Sequence, residues 1–340
     1  MARVVALGAV IAPALPATAA TPATGRQPEV VFADYSPLSS STELVRRLLS
    51  PLAAAQVQGM LARSSERLIE QSIDLATERF VLYVPPVAPP AGYALLVFVP
   101  PWQDARLPAG WEPVLERDGV IYVSAARSGN AENVMGRREP LALLAAHNVM
   151  QRYPVDRERV YVGGFSGGSR IALRIALGFP DVFRGVLLDA GSDPLGSGVP
   201  PLPPAEQFQR FQESTRLVYV TGQQDSERLT MDAQSLQSMR HWCVFDVDSE
   251  TTPGAGHEVA TPAALSEALQ VLRTHTRPDP GRVAKCRGDI AREVTAQLDK
   301  AQSLIAAGKR SDAQKLLIAI DRRFGGLAAP RSTELQSALN

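Results

Sequence analysis

The stretch Arg159-Val160-Tyr161-Val162-Gly163-Gly164-Phe165-Ser166-Gly167-Gly168-Ser169-Arg170 decides how this chain folds. Its centre, Gly164-Phe165-Ser166-Gly167-Gly168, has the pattern G-x-S-x-G. The spacing has a steric cause: a strand that reverses sharply into a helix brings together the residues two before and two after the serine. Only small residues fit there, and the serine is held strained with its hydroxyl exposed. Composition alone gives such a pattern on the order of 0.1 times in a chain this long, so the setting carries the weight. A β-rich run precedes the motif without a gap. Ile171, Ala172, Ile175, Ala176 and Phe179 follow at helical spacing, also without a gap.

Working outward, short apolar runs alternate with helical patterns. Strands are expected at Arg79 to Val84, ended by Pro85-Pro86, and at Ala94 to Val99, ended by Pro100-Pro101. Another is expected at Val120 to Val123, before the polar loop Arg127-Ser128-Gly129-Asn130. After the Arg159 to Gly163 strand come Gly185 to Leu188, Leu217 to Val220 and Trp242 to Val247. Helices are expected over 139–152, 167–178, 229–239 and 261–273. Strands that are apolar throughout and alternate with helices imply an α/β fold, a mostly parallel sheet covered on both faces, here over 75–277.

The ends differ in character. Arg3, the uncharged apolar run Val4 to Leu15, and Ala17-Thr18-Ala19 have the order of an export signal over 1–20. Pro13 and Pro16 interrupt that run, which falls short of the ~20 residues that span a bilayer, so no membrane span is expected after cleavage. Residues 21–74 read as a flexible start, rich in Ala, Thr and Pro up to residue 30, followed by helix around Leu44, Leu48, Leu49 and Leu52. Past Pro278-Asp279-Pro280-Gly281, residues 288–306 and 311–323 form a C-terminal helical hairpin within 278–340. It resembles a single tetratricopeptide-like unit, which cannot bury its own face and is expected to pack on the core. Docking of a protein partner is the lesser alternative.

Lys+Arg and Asp+Glu both number 35, so no global field points to nucleic acid or an anionic membrane. The two cysteines, Cys243 and Cys286, would pair in an exported protein, the alternative being two buried thiols. No His or Cys stands near either at ligand spacing, so no metal is expected.

A serine nucleophile needs a base. His147 lies in an apolar helical run, His241 immediately before a strand, and His275 after the last core helix. His257, in Pro253-Gly254-Ala255-Gly256-His257-Glu258, follows the final strand, where a parallel sheet presents ligands at the carboxyl ends of its strands. Either Asp225, in Val220-Thr221-Gly222-Gln223-Gln224-Asp225, or Asp193, in Ala190-Gly191-Ser192-Asp193, would orient that histidine. Asp225 is preferred, and Asp246 and Asp248 sit too near the last strand. An oxyanion hole needs backbone donors. Gly167, after the serine, supplies one. Because prolines have no N–H, Trp102 is the first donor after Pro100-Pro101. Arg127, Asn130, Arg137 and Arg138 would face an acidic substrate, although surface salt bridges explain such residues more simply.

Four stretches then carry a resemblance: RFVLYVPP (79–86), VYVGGFSGGSRIALRIALGFPDVFRGVLLDAGSDP (160–194), VTGQQD (220–225) and GAGHE (254–258). Over roughly 75–275 the chain resembles the polyhydroxyalkanoate-depolymerase and feruloyl-esterase-like branch of the α/β-hydrolases. The resemblance implies family roles for Ser166, Asp225 and His257. It also implies a serine hydrolase acting on small-molecule or polymeric carboxylic esters through an acyl-enzyme, without metal or organic cofactor. Relatives carry a His-Gly pair where this chain has Pro100-Pro101-Trp102. Alternatives are a prolyl-oligopeptidase-type peptidase and a non-catalytic binding protein of the same fold.

Overall fold

A computed structural model describes residues 22–65, 67–274 and 278–339. The export signal read over 1–20 and His275 lie outside the described residues. Runs rich in Val, Leu and Tyr form most of one eight-stranded sheet. Its strands are β1 (Gly25–Val30), β2 (Phe80–Val84), β3 (Tyr93–Val99), β4 (Val120–Ala125), β5 (Val155–Phe165), β6 (Gly185–Asp189), β7 (Arg216–Gly222) and β8 (Val247–Thr252). They lie in the order β1-β2-β4-β3-β5-β6-β7-β8. Strand β2 runs antiparallel to β1 and β4, and every pair from β4 to β8 is parallel.

Alternation along each strand divides the core in two. Leu95, Val97 and Val99 of β3 enter one cluster, while Ala94, Leu96 and Phe98 enter the other. The first cluster is covered by α1 (Ser41–Leu48), α4 (Glu139–Arg152), α5 (Gly167–Gly178) and α6 (Ala205–Ser214). Helices α3 (Glu112–Asp118) and α8 (Pro262–Arg273) cover the second. A strand buried on both faces tolerates no polar alternation, which is why β3, β4, β6, β7 and β5 from Val160 onward read as largely apolar runs. Helices α2 (Pro51–Arg63) and α7 (Ser226–His241) complete the set before residue 278.

The C-terminal hairpin consists of α9 (Pro280–Ala306) and α10 (Arg310–Phe324), followed by the short α11 (Arg331–Ser337). Helix α9 begins at Pro280, ahead of the expected 288, because the Asp279 carboxylate caps it, accepting from the Arg282 N–H at 2.6 Å. Ile290, Val294, Leu298, Leu317, Ile320 and Phe324 join the first core cluster, so the hairpin buries its stripe against the sheet-bearing body. Cys243 and Cys286 form a disulfide that fastens α9 to the segment after α7. Asp321 adds a second tie, accepting from the Leu52 N–H at 3.0 Å and the Ser50 hydroxyl at 2.5 Å.

Two readings need correction. The segment expected to be flexible up to residue 30 contains β1, paired with β2 along the sheet edge. An edge strand takes its stability from backbone hydrogen bonds to one neighbour and needs no apolar pattern. The expected strand at Trp242 to Val247 is instead a turn, with Cys243 at φ 62°. Trp242, Cys243 and Val244 are buried there, Trp242 against Phe208 and Phe324, and the polar edge strand β8 starts only at Val247.

Candidate active site

Strand β5 runs directly into α5 through Ser166, whose φ of 54° and ψ of −119° place it in a region strained for any L residue. Its N–H donates to the Asp189 carbonyl at 2.7 Å, and its own carbonyl accepts from the Ser169 N–H at 3.1 Å. The flanking glycines are steric requirements. A Cβ on Gly164 would lie 2.4 Å from the Gly168 carbonyl carbon, and one on Gly168 would lie 1.9 Å from the Val99 oxygen.

The loop after β8 brings His257 over this turn. Its Nε2 lies 3.0 Å from Ser166 Oγ, and its Nδ1 lies 2.5 Å from Asp225 Oδ2. The network assigns the tautomer: Nδ1–H donates to the carboxylate, leaving Nε2 to accept from the serine hydroxyl. Asp225 is nearly buried, at 8% side-chain exposure against 41% for His257. It also caps α7, accepting from the Arg228 N–H at 3.3 Å. The Phe165 ring lies 4.9 Å from the imidazole and shields one face.

Asp193 makes no hydrogen bond to His257; it lies in a cavity beside Gly167 together with Arg170. Asp246 and Asp248 both pair with Arg216, away from the histidine. His147 lies within α4, and His241 packs edge-on against Trp242.

The loop after β3 is pressed against the start of α5, as the Val99–Gly168 approach shows. Three bonds hold it: Asn130 N–H to Pro101 O at 3.0 Å, Arg127 N–H to Gln103 O at 2.6 Å, and Arg138 to Pro100 O at 2.9 Å. The Gly167 N–H, first in α5, has no partner within its helix. The Trp102 N–H donates to no group among the described residues. The Trp102 ring stands 6.2 Å from Phe165 and carries the Arg106 guanidinium at 4.1 Å.

No protein-family model matches the sequence, and no curated protein matches it. Solved structures are similar to it at low identity. A ferulic acid esterase has a TM-score of 0.44 at 15% identity, over 58% of this chain and 92% of its own. An acetyl xylan esterase from Aspergillus awamori has a TM-score of 0.43 at 12% identity, over 57% of this chain and 94% of its own. S-formylglutathione hydrolase from Staphylococcus aureus has a TM-score of 0.44 at 11% identity, over 58% of this chain and 91% of its own. What decides the matter is the strand order with β2 reversed and the strained serine between β5 and α5. The fold is the α/β-hydrolase fold.

Several residues that organise this hydrolase fold around Ser166 carry no motif. Asp189 ends β6 under the elbow, and its carboxylate accepts from the Ala260 N–H at 2.8 Å, fixing the far end of the His257 loop. Burial pushes the Asp189 carboxyl well above its ordinary range, against the opposing effect of that hydrogen bond. Trp111 donates from Nε1 to the Ala260 carbonyl at 2.8 Å and secures the same point. Arg127 and Arg137 form ion pairs with Glu78, whose side chain is 3% exposed, so these are not open surface bridges. Arg138 is buried and donates to the Ser128 and Pro100 carbonyls, which makes it a brace for the loop carrying Trp102.

Proposed function

We propose that the protein is an exported serine hydrolase that cleaves carboxylic esters through an acyl-enzyme on Ser166. The observation that carries the reading is the unbroken chain from Ser166 Oγ to His257 at 3.0 Å and from His257 to Asp225 at 2.5 Å. A hydroxyl is a poor nucleophile until a base takes its proton as it attacks. In this reading His257 Nε2 accepts that proton while Oγ bonds to the ester carbonyl carbon. The negative charge that develops on the carbonyl oxygen is met by the Gly167 and Trp102 N–H groups. Asp225 holds the imidazole in the required tautomer and stabilises the imidazolium. The imidazolium then protonates the departing alcohol as the C–O bond breaks. Water, deprotonated by the same histidine, attacks the acyl-enzyme and releases the acid. The sequence of steps needs no metal or organic cofactor.

Export is supported by the order of charge, apolar run and small residues over 1–20, and by a disulfide, which persists in oxidising compartments. Among the described residues no helix is long and apolar enough to cross a membrane. The test is hydrolysis of p-nitrophenyl esters and aminoacyl-nitroanilides by the purified protein and by Ser166→Ala. Ester turnover abolished by the substitution supports the reading. Ester turnover that survives it, or turnover of nitroanilides alone, overturns it.

A further inference from the structure

A cavity of about 390 Å³ opens beside the serine, starting at Gly167 and lined by Arg138, Arg170, Arg174 and Asp193, with Met135 and Ile171 on its apolar wall. The charged groups in it are unequally satisfied. Arg174 is paired with the buried Glu139 at 2.7 Å, and Arg138 is spent on two backbone carbonyls. Arg170, four residues beyond the serine on the first turn of α5, has no hydrogen bond or ion pair among the described residues. Neither does the Asp193 carboxylate. Burial, and next to it the charge of Arg170, pull the Arg138 guanidinium down to about 10. Glu139 and Glu132 oppose that pull on Arg138, whereas Arg170 lies near the charge of Asp193 and has none of its donors filled among the described residues. Arg174 and Arg138 are thus held by groups of the fold itself, which leaves Arg170 as the guanidinium of this lining whose donors no group among the described residues fills.

We infer that this cavity binds the substituent of the ester next to the scissile bond, and that the substituent carries a single carboxylate bonded by Arg170. The inference rests on the hydrolase reading for its meaning, but not for its test. A guanidinium fork matches a carboxylate in a two-point bond, whereas Asp193, which also lines the cavity, repels a second negative charge. Arg170 is thus a specificity residue: it selects monoanionic substituents over neutral ones of equal length.

The test is calorimetry on full-length Ser166→Ala with two matched ligands, monomethyl adipate (one carboxylate) and dimethyl adipate (none). The monoanion is expected to bind about tenfold tighter or more, the factor a charge-assisted hydrogen bond supplies. That preference should vanish in Arg170→Gln, persist in part in Arg170→Lys, and survive Arg292→Gln, which removes an exposed arginine on α9. Equal binding of the two ligands, or a preference that survives Arg170→Gln, overturns the inference. The two proposals fail separately. An Arg170-dependent preference in a protein whose Ser166 resists fluorophosphonate labelling upholds the anion site and removes the hydrolase. A labelled Ser166 with no preference does the reverse.

Discussion

Replacing Asp225 by asparagine separates two tasks that one carboxylate performs. The side chain caps α7 through the Arg228 N–H at 3.3 Å and holds His257 Nδ1 at 2.5 Å. Asparagine caps helices about as well as aspartate, so the helix keeps its terminus. The amide, however, presents an N–H to Nδ1. The imidazole then carries its proton on Nε2 and cannot accept one from Ser166. At 8% side-chain exposure there is little room for water to take over the role of the carboxylate. The expected loss in kcat is about 10³- to 10⁴-fold, or roughly 4–5.5 kcal/mol of barrier. The unfolding free energy should stay within about 0.5 kcal/mol of the parent. Asp225→Ala loses the same turnover plus about 1 kcal/mol of stability, because the cap goes too. Steady-state kinetics on a p-nitrophenyl ester, paired with urea unfolding, reads both quantities. An asparagine variant within tenfold of the parent kcat refutes the idea that this carboxylate sets the tautomer.

Three further outcomes follow from other parts of the molecule. Gly168→Ala puts a Cβ 1.9 Å from the Val99 oxygen, where ordinary contact begins at 3.4 Å, so the β3 loop must retreat from the elbow. A displacement above 1 Å should cost about 10²-fold or more in kcat/KM while circular dichroism keeps the folded spectrum. Burial raises the Asp232 carboxyl from its ordinary 3.8 to about 6, against the hydrogen bond from Thr221. The folded state then holds that proton more tightly than the unfolded one, so stability falls as pH rises from about 4 to about 6. The difference is about 3 kcal/mol, and Asp232→Asn should flatten that part of the urea-midpoint-versus-pH curve. The Cys243–Cys286 bond spans 43 residues of sequence, for which chain entropy gives about 4 kcal/mol. Cys286→Ser should lower the unfolding free energy by that order, measured without reductant.

The parts of this molecule that could be read in advance are those where sterics or burial leave few choices. Gly164 and Gly168 are dictated by backbone contacts below 2.5 Å that any side chain would violate. Strands β3, β4, β6 and β7, with β5 from Val160 onward, are buried on both faces and so announce themselves as apolar runs. His257 followed from the rule that loops at strand ends meet over a parallel sheet. Edges hid themselves for the opposite reason: β1 and β8 pair on one side only, and their sequences, GRQPEV and VDSETT, carry no core pattern. The apolar Trp242 to Val244 run imitated a strand because it is buried by helices α6 and α10. Asp189 and Arg138 act through hydrogen bonds to backbone atoms distant in sequence, and no spacing encodes such bonds. Asp225 and Asp193 both sit just beyond a strand end; only the geometry separates the one that meets the histidine from the one that faces Arg170.

The most direct check is the mass of the protein after brief reaction with a fluorophosphonate, followed by peptide mapping. The account predicts one adduct, on the Ser166 peptide, absent when the protein is unfolded beforehand and strongly slowed in His257→Ala. An intact, folded protein that hydrolyses esters yet leaves the Ser166 peptide unmodified would contradict it.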